Sequence, residues 1–155
     1  MAITPEQYAQ LIKPINSERV SQRTGGGGKS LSYVEVWDVK AHLTRIFGFG
    51  GWSWVVTDAK FIFEEKGEKN WTVAYQALGT LTIHALDIQF AEAAVGSATG
   101  SRADAHDNAI KNAESDAIKR AAVNLGDQFG LSLYNKGSLR PSVINTIVKP
   151  EGVND

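Results

Sequence analysis

Lys119 and Arg120 stand side by side in an alanine-rich run, with Asp116 about one helical turn before them. Adjacent cations of these two kinds suit consecutive phosphates, because Arg offers a planar fork and Lys a mobile point charge. The plainer reading is a solvated helix face with an i,i+3 or i,i+4 ion pair. Gly25-Gly26-Gly27-Gly28-Lys29-Ser30 offers a second chemistry, that of a nucleotide-binding phosphate loop. The full pattern needs a glycine five places before its Gly-Lys-Ser unit, and Arg23 occupies that place. It also needs a buried strand ahead of it, whereas Ser17–Gln22 is polar. A flexible hinge carrying Arg23 and Lys29 fits these residues better, with cations and backbone N–H groups suited to a nucleic-acid backbone.

Other chemistries find little purchase. His42, His84 and His106 are scattered, and Asp104-Ala-His106-Asp107 lacks the i,i+4 spacing that places two ligands on one helical face, so no metal site is expected. No Ser-His-Asp set follows from spacing, and no carboxylate pair stands out. The expectation is a protein that is not an enzyme. Tyr33, Trp37, Phe49, Trp52 and Trp54 are expected mainly in the core, with one or two rings left to stack on bases.

The charge layout sharpens the polyanion reading. The 155 residues carry a net charge of −1, unevenly spread. Residues 13–45 hold six cations (Lys13, Arg19, Arg23, Lys29, Lys40, Arg45) against three carboxylates, and residues 117–149 hold five against one. Residues 58–116 hold five against ten, including Lys111. Two basic segments flanking an acidic one would form a positive groove if the fold joined them. With no cysteine there is no disulfide framework or thiolate site, and an intracellular setting is expected. No apolar run approaches the roughly 20 residues of a membrane span, and no secretory signal is visible.

These residues need elements to carry them. Thr4-Pro5 with Gln7 reads as an N-cap, a first-turn proline and a capping-box partner, and Pro14 ends that helix. Residues 14–28 read as a loop. Ser32 with Glu35 reads as a second capping box, opening a helix through Val36, Val39, Leu43, Ile46 and Phe47, with Asp38, Lys40, His42 and Arg45 mainly on its other faces. Gly48 caps it. Trp52–Thr57 and Ala59–Glu64 read as strands, 65–70 as a hairpin loop and 71–88 as one or two further strands. Residues 96–101 read as a small-residue loop, and 102–125 as a long helix with Ile110, Ala117, Ile118, Ala121 and Leu125 on its apolar arc. The fold class is α+β: an antiparallel sheet packed against a long helix, with N-terminal helices. The expected domains are a core over 1–136 and a loosely ordered tail over 137–155.

Several motifs, taken in order, resemble the Rad fifty-two family of single-strand annealing proteins. They are Arg23 with Gly26-Gly27-Gly28, then Tyr33-Val34-Glu35, then Phe47-Gly48-x-Gly50-Gly51-Trp52, then Ser115-Asp116-Ala117-Ile118-Lys119-Arg120-Ala121 with Gly126 and Phe129-Gly130. The resemblance spans residues 18–135. It implies a β-β-β-α core assembled into a homo-oligomeric ring whose outer groove carries single-stranded DNA. It also implies pairing of complementary strands without ATP or another cofactor, in recombination and repair.

By position, Lys119 and Arg120 match the family's groove-lining basic pair. Asp38 and Val123 depart from it, standing where arginines are usual, so Lys29, Lys40, Arg45 or Lys111 would have to substitute, with Arg23 beside them. The resemblance further implies that the chain ends near the close of the annealing core, without the long tail with which eukaryotic members bind a recombinase and a single-strand-binding protein. A single-strand-binding protein remains the candidate protein partner, and a phage or bacterial recombination system, hence the cytoplasm, the expected setting. Two other classes stay open: a nucleotide-binding enzyme using Gly25–Ser30, and a ring-forming scaffold without DNA affinity.

Overall fold

A stripe of alanines four residues apart determines how the longest helix meets its sheet. In the computed structural model, which describes residues 3–154, helix α3 spans Arg102–Ala122 and buries Ala105, Ala109, Ala113, Ala117 and Ala121. Residues i and i+4 share a helical face, so the stripe is continuous, and its methyl groups let the backbone come close. Of the expected arc, Ala117, Ile118 and Ala121 are buried, Ile110 is only half-buried, and Leu125 lies beyond the end of α3.

The opposing surface is a three-stranded antiparallel sheet, β3 (Trp52–Lys66), β4 (Trp71–Ile83) and β5 (Ile88–Gly100), with β4 in the middle. Val73, Ala77, Leu81 and Ile83 of β4 are fully buried at period two. Ala77 and Ala94 pack with Ala113 and Ala117, while Trp54 and Tyr75 close over them. Val73 packs with Ala105 and Ala109, flanked by Trp71 and Ala98.

Two sequence expectations fail here. Trp52–Thr57 and Ala59–Glu64 are a single strand, and the small residues 96–100 are not a loop but the end of β5. Gly96 lies directly under α3. A Cβ there would meet the backbone N of Ala113 and, at 2.7 Å, the carbonyl oxygen of Ala109. The run is small because a helix backbone lies on it.

The chain divides into two compact units. One comprises Ser53–Thr82 and Gln89–Ala121, the sheet and α3. The other holds residues up to Trp52, Ile83–Ile88 and those from Ala122 onward. In it, helix α1 (Pro5–Leu11) is capped as its sequence requires: Gln7 N–H donates to Thr4 Oγ1 at 3.2 Å, and Thr4 N–H to Gln7 Oε1 at 2.9 Å. The expected loop over 14–28 instead contains strand β1 (Ser21–Thr24), paired antiparallel with β2 (Ser30–Tyr33). Ser32 is therefore a strand residue whose hydroxyl accepts from Gln22 at 2.9 Å, and helix α2 (Val36–Phe47) begins after Glu35 with no side-chain cap. Hairpin pairing outcompeted the capping box. Residues 138–154 form no helix or strand, yet the buried Asp127 carboxylate accepts the N–H groups of Ser142 and Val143 at 2.7 and 2.9 Å. Among the described residues no helix is long and apolar enough to cross a membrane.

Replacing Gly96 by Ala should force α3 off the sheet and lower stability by about 2 kcal/mol, the usual cost of overpacking. Urea unfolding followed by circular dichroism reads this directly; an unchanged midpoint would contradict the close approach.

Candidate nucleic-acid interface

Three candidate cations project from α3. Lys119 and Arg120 lie in its last turn, Arg120 exposed and Lys119 partly covered. Lys119 Nζ stands 3.4 Å from Asp116, and Arg120 Nε 3.9 Å from Glu92 on β5. The second separation is an ion pair without a hydrogen bond. Exposed pairs of this kind contribute about 0–1 kcal/mol. Lys111 is held differently, by a 2.6 Å contact to Asp107 one turn back.

The other candidates belong to the unit containing α1 and α2. Arg23, on β1, lies over the Tyr33 ring at 5.4 Å. Tyr33 donates its hydroxyl to Glu35 at 3.0 Å, and that bond raises the phenol above its ordinary value. Lys29 follows the glycine turn and is exposed, as is Lys40 on α2. The turn closes a hairpin, with Gly27 and Gly28 at φ +73° and +75°. A phosphate-binding loop needs a helix after its Lys-Ser, where N–H groups converge on the phosphate. Here an antiparallel strand follows, so the nucleotide-loop reading is corrected.

Arg45 is drawn inward. It is half-exposed and reaches His42 Nδ1 at 3.1 Å and Asp38 at 3.5 Å. Asp38 and His42, expected mainly away from the apolar face of α2, are buried. Asp38 accepts from Arg19 Nε at 2.8 Å, and Arg19 also donates to the Gln128 carbonyl at 2.9 Å. Gln128 Nε2 donates to the carbonyls of Lys13 and Pro14, which leaves Oε1 to accept from His42 Nε2 at 2.8 Å. The imidazole is therefore neutral, donating through Nε2 and accepting Arg45 at Nδ1. Burial, then the positive charge of Arg19, pushes its pKa down to about 4. Asp38 is thus an internal partner for Arg19, not a weakened groove position.

Of the five named aromatics, Tyr33, Trp52 and Trp54 are partly buried, with Trp54 packed against the core, and the other two are exposed. Trp37 is 66% exposed and Phe49 99%. Phe49 sits between Gly48 and Gly50, both at positive φ, and the turn they form directs its ring outward. His106, isolated in sequence, is joined by the fold to Tyr75 and Glu64, each at 2.7 Å. Arg102 grips the same carboxylate at 2.9 and 3.1 Å and, with His106, holds Glu64 below the usual carboxylate range. Sequence reasoning also missed Glu92 and Gln128, which sit in unremarkable contexts and gain meaning only from their partners. Among the described residues no three His, Asp or Glu side chains converge to hold a metal ion.

Residues 5–150 match the model of the Rad52/22 family of double-strand break repair proteins. The chain belongs to that family. Among curated relatives, the DNA repair and recombination protein rti1 of Schizosaccharomyces pombe is 35% identical over 130 residues, covering 81% of this chain and 34% of the relative. The fission-yeast DNA repair and recombination protein rad22 is 31% identical, covering 85% and 29%. The DNA repair and recombination protein RAD52 of Eremothecium gossypii is also 31% identical, covering 84% and 30%. The chain thus spans about a third of the length of these relatives. All three relatives are named as proteins of DNA repair and recombination.

The buried imidazole makes a testable demand. A folded value near 4 against an ordinary value near 6.5 means the unfolded chain binds more protons between those limits. Stability is full above about pH 6.5 and falls as pH is lowered toward 4, by on the order of 2 kcal/mol. Urea midpoints measured across that window should decline in the parent and less steeply in His42→Gln.

Proposed function

We propose that this protein binds single-stranded DNA and anneals complementary strands without ATP, acting as a homo-oligomeric ring in recombination and repair. The observation that carries the reading is the pair at the end of α3, two adjacent cations in its last turn, with Lys119 3.4 Å from Asp116 and Arg120, which is exposed, 3.9 Å from Glu92. Phosphates take these cations while the base edges stay unread and available to a second strand. Presenting two strands in order lowers the entropic cost of pairing, so the activity is positional. Arg23, Lys29, Lys40, Arg45 and Lys111 supply further phosphate contacts, and Phe49 and Trp37 supply rings for stacking, which grips bases irrespective of sequence.

Self-assembly has support of its own. β3 is an edge strand of fifteen residues with Val55, Val56, Phe61, Ile62 and Phe63 exposed. A long apolar edge left unpaired is a template for another chain. A single-strand-binding protein is the proposed protein partner, and no cofactor is required.

Replacing Lys119 and Arg120 together by Ala should weaken binding to a labelled oligonucleotide about tenfold or more at 0.1 M salt. It should also make the log–log salt slope less negative by about 1.4, two phosphates at about 0.7 each. Unchanged binding by fluorescence anisotropy would remove the pair from the interface. Annealing of complementary oligonucleotides without ATP, with particle mass measured alongside, tests the whole. Large particles without oligonucleotide binding would indicate a scaffold instead.

A further inference from the structure

A cavity of about 410 Å³ lies between α1 and α2, lined by Glu6, Gln7, Gln10, His42, Arg45 and Ile46. Its size is that of a small-molecule site, roughly 300–1,000 Å³. Most polar atoms on its wall are already spent. Gln7 Nε2 donates to the Ile46 carbonyl at 2.9 Å, and its Oε1 accepts Thr4 N–H. Gln10 Nε2 donates to Gln128 at 3.0 Å, and its Oε1 accepts from Lys13 at 3.3 Å. His42 uses both ring nitrogens, Nε2 on Gln128 and Nδ1 on Arg45 Nη1.

Two groups on that wall keep capacity to spare. Arg45 is fixed by one corner, since Nη1 meets both His42 at 3.1 Å and Asp38 at 3.5 Å. Nε and Nη2, the other side of its planar fork, make no hydrogen bond among the described residues. The exposed Glu6 carboxylate likewise has no hydrogen bond or ion pair among them. A two-donor fork and a two-acceptor carboxylate thus line one cavity. The pair is formally neutral, so a phosphate drawn by Arg45 would be repelled by Glu6. A neutral ligand with adjoining acceptors on one edge and adjoining donors on another satisfies both. Guanine is the nucleobase built this way. Its O6 and N7 suit a bidentate arginine, and its N1–H and 2-amino group donate.

We infer that this cavity binds a guanine base, with Arg45 donating from Nε and Nη2 to O6 and N7, and Glu6 accepting from N1–H and the 2-amino group. Ile46, half-buried on the same wall, gives the ring face an apolar surface. His42 is a positioning residue, because its Nδ1 lone pair sets the angle of the fork. Arg45 then has a base edge to read and not a phosphate alone. The inference does not rest on the role proposed for Lys119 and Arg120, since a free guanine nucleotide and a guanine in a single strand present the same edges. In a strand, a base held by its pairing edge is withheld from a complement while its neighbours stay free.

The test is calorimetric titration of the full chain with the 5′-monophosphates of guanosine, adenosine, inosine and 7-deazaguanosine. The phosphate is common to all four, so differences between them report the base. The guanosine nucleotide should bind about tenfold more tightly than the adenosine one, as one bidentate pair discriminates. Inosine lacks the 2-amino donor and 7-deazaguanosine lacks the N7 acceptor, and each should weaken binding about fivefold, the worth of one hydrogen bond. Glu6→Gln and Arg45→Gln should each abolish the preference. Equal affinities for the four nucleotides, no binding at all, or a preference that survives both substitutions overturns the inference. The analogue series needs no variant, so it decides the matter even if Arg45→Gln fails to fold.

A second arm separates the two sources of the base. Oligothymidine carrying one internal guanine is compared by fluorescence anisotropy with the same strand carrying adenine. Tighter binding of the guanine strand makes the ligand a base of single-stranded DNA. Equal binding of the strands, with the mononucleotide preference intact, upholds the cavity and makes a free nucleotide its ligand. If Lys119→Ala with Arg120→Ala leaves strand binding unchanged, the role proposed for that pair fails and the cavity stands. If that variant loses strand binding while the four mononucleotides bind the parent alike, only the guanine inference fails.

Discussion

The close seating of α3 on its sheet is the constraint from which the proposed interface follows. Five alanines at four-residue spacing leave no side chain to hold the helix away, and Gly96 removes the last obstacle on the strand beneath. A helix seated this deeply has its rotation fixed, because turning it would lift the small-residue face off β4 and drive larger side chains into the gap. With rotation fixed, Lys119 and Arg120 must project where they do, and Glu92 of β5 comes within reach of Arg120. The two cations owe their placement to the packing of the helix that carries them.

The other unit relies on a different principle. Its center is a polar network in which Asp38, Arg19, Gln128 and His42 satisfy one another away from water. Buried polar groups cost free energy unless their partners are in place, so such a network tolerates few arrangements. It joins segments far apart in sequence, from Lys13 to Gln128, and fixes α2 through two of its residues. Arg45 contributes at the rim of this network, which ties up part of a cation that sequence alone would assign wholly to DNA.

The long edge of β3 follows a different logic. Its fifteen residues leave Val55, Val56, Phe61, Ile62 and Phe63 exposed. Natural sheets ordinarily protect their edges, so an edge strand this long and apolar is what the proposed self-assembly would use.

Much of this was legible in the residues. Thr4-Pro5 with Gln7 specified the start of α1, the apolar spacing from Val36 to Phe47 specified α2, and the ordered glycine, aromatic and Lys-Arg motifs pointed to the family. These signals are local, set by backbone propensity and by spacing within one turn, and a sequence displays them directly. What failed was whatever depended on a distant partner. Ser32-x-x-Glu35 reads as a cap until β1 is seen to pair with that segment, and residues 96–100 read as a loop until a helix backbone is laid over Gly96. Asp38 and His42 read as surface residues until Arg19 and Gln128 are brought to them. The sequence by itself determined the elements with local signals, such as α1 and α2, and carried the motifs of the family. Only the tertiary structure decided which charges are buried, which are paired and which stay available, because those outcomes turn on desolvation and on partners many residues away.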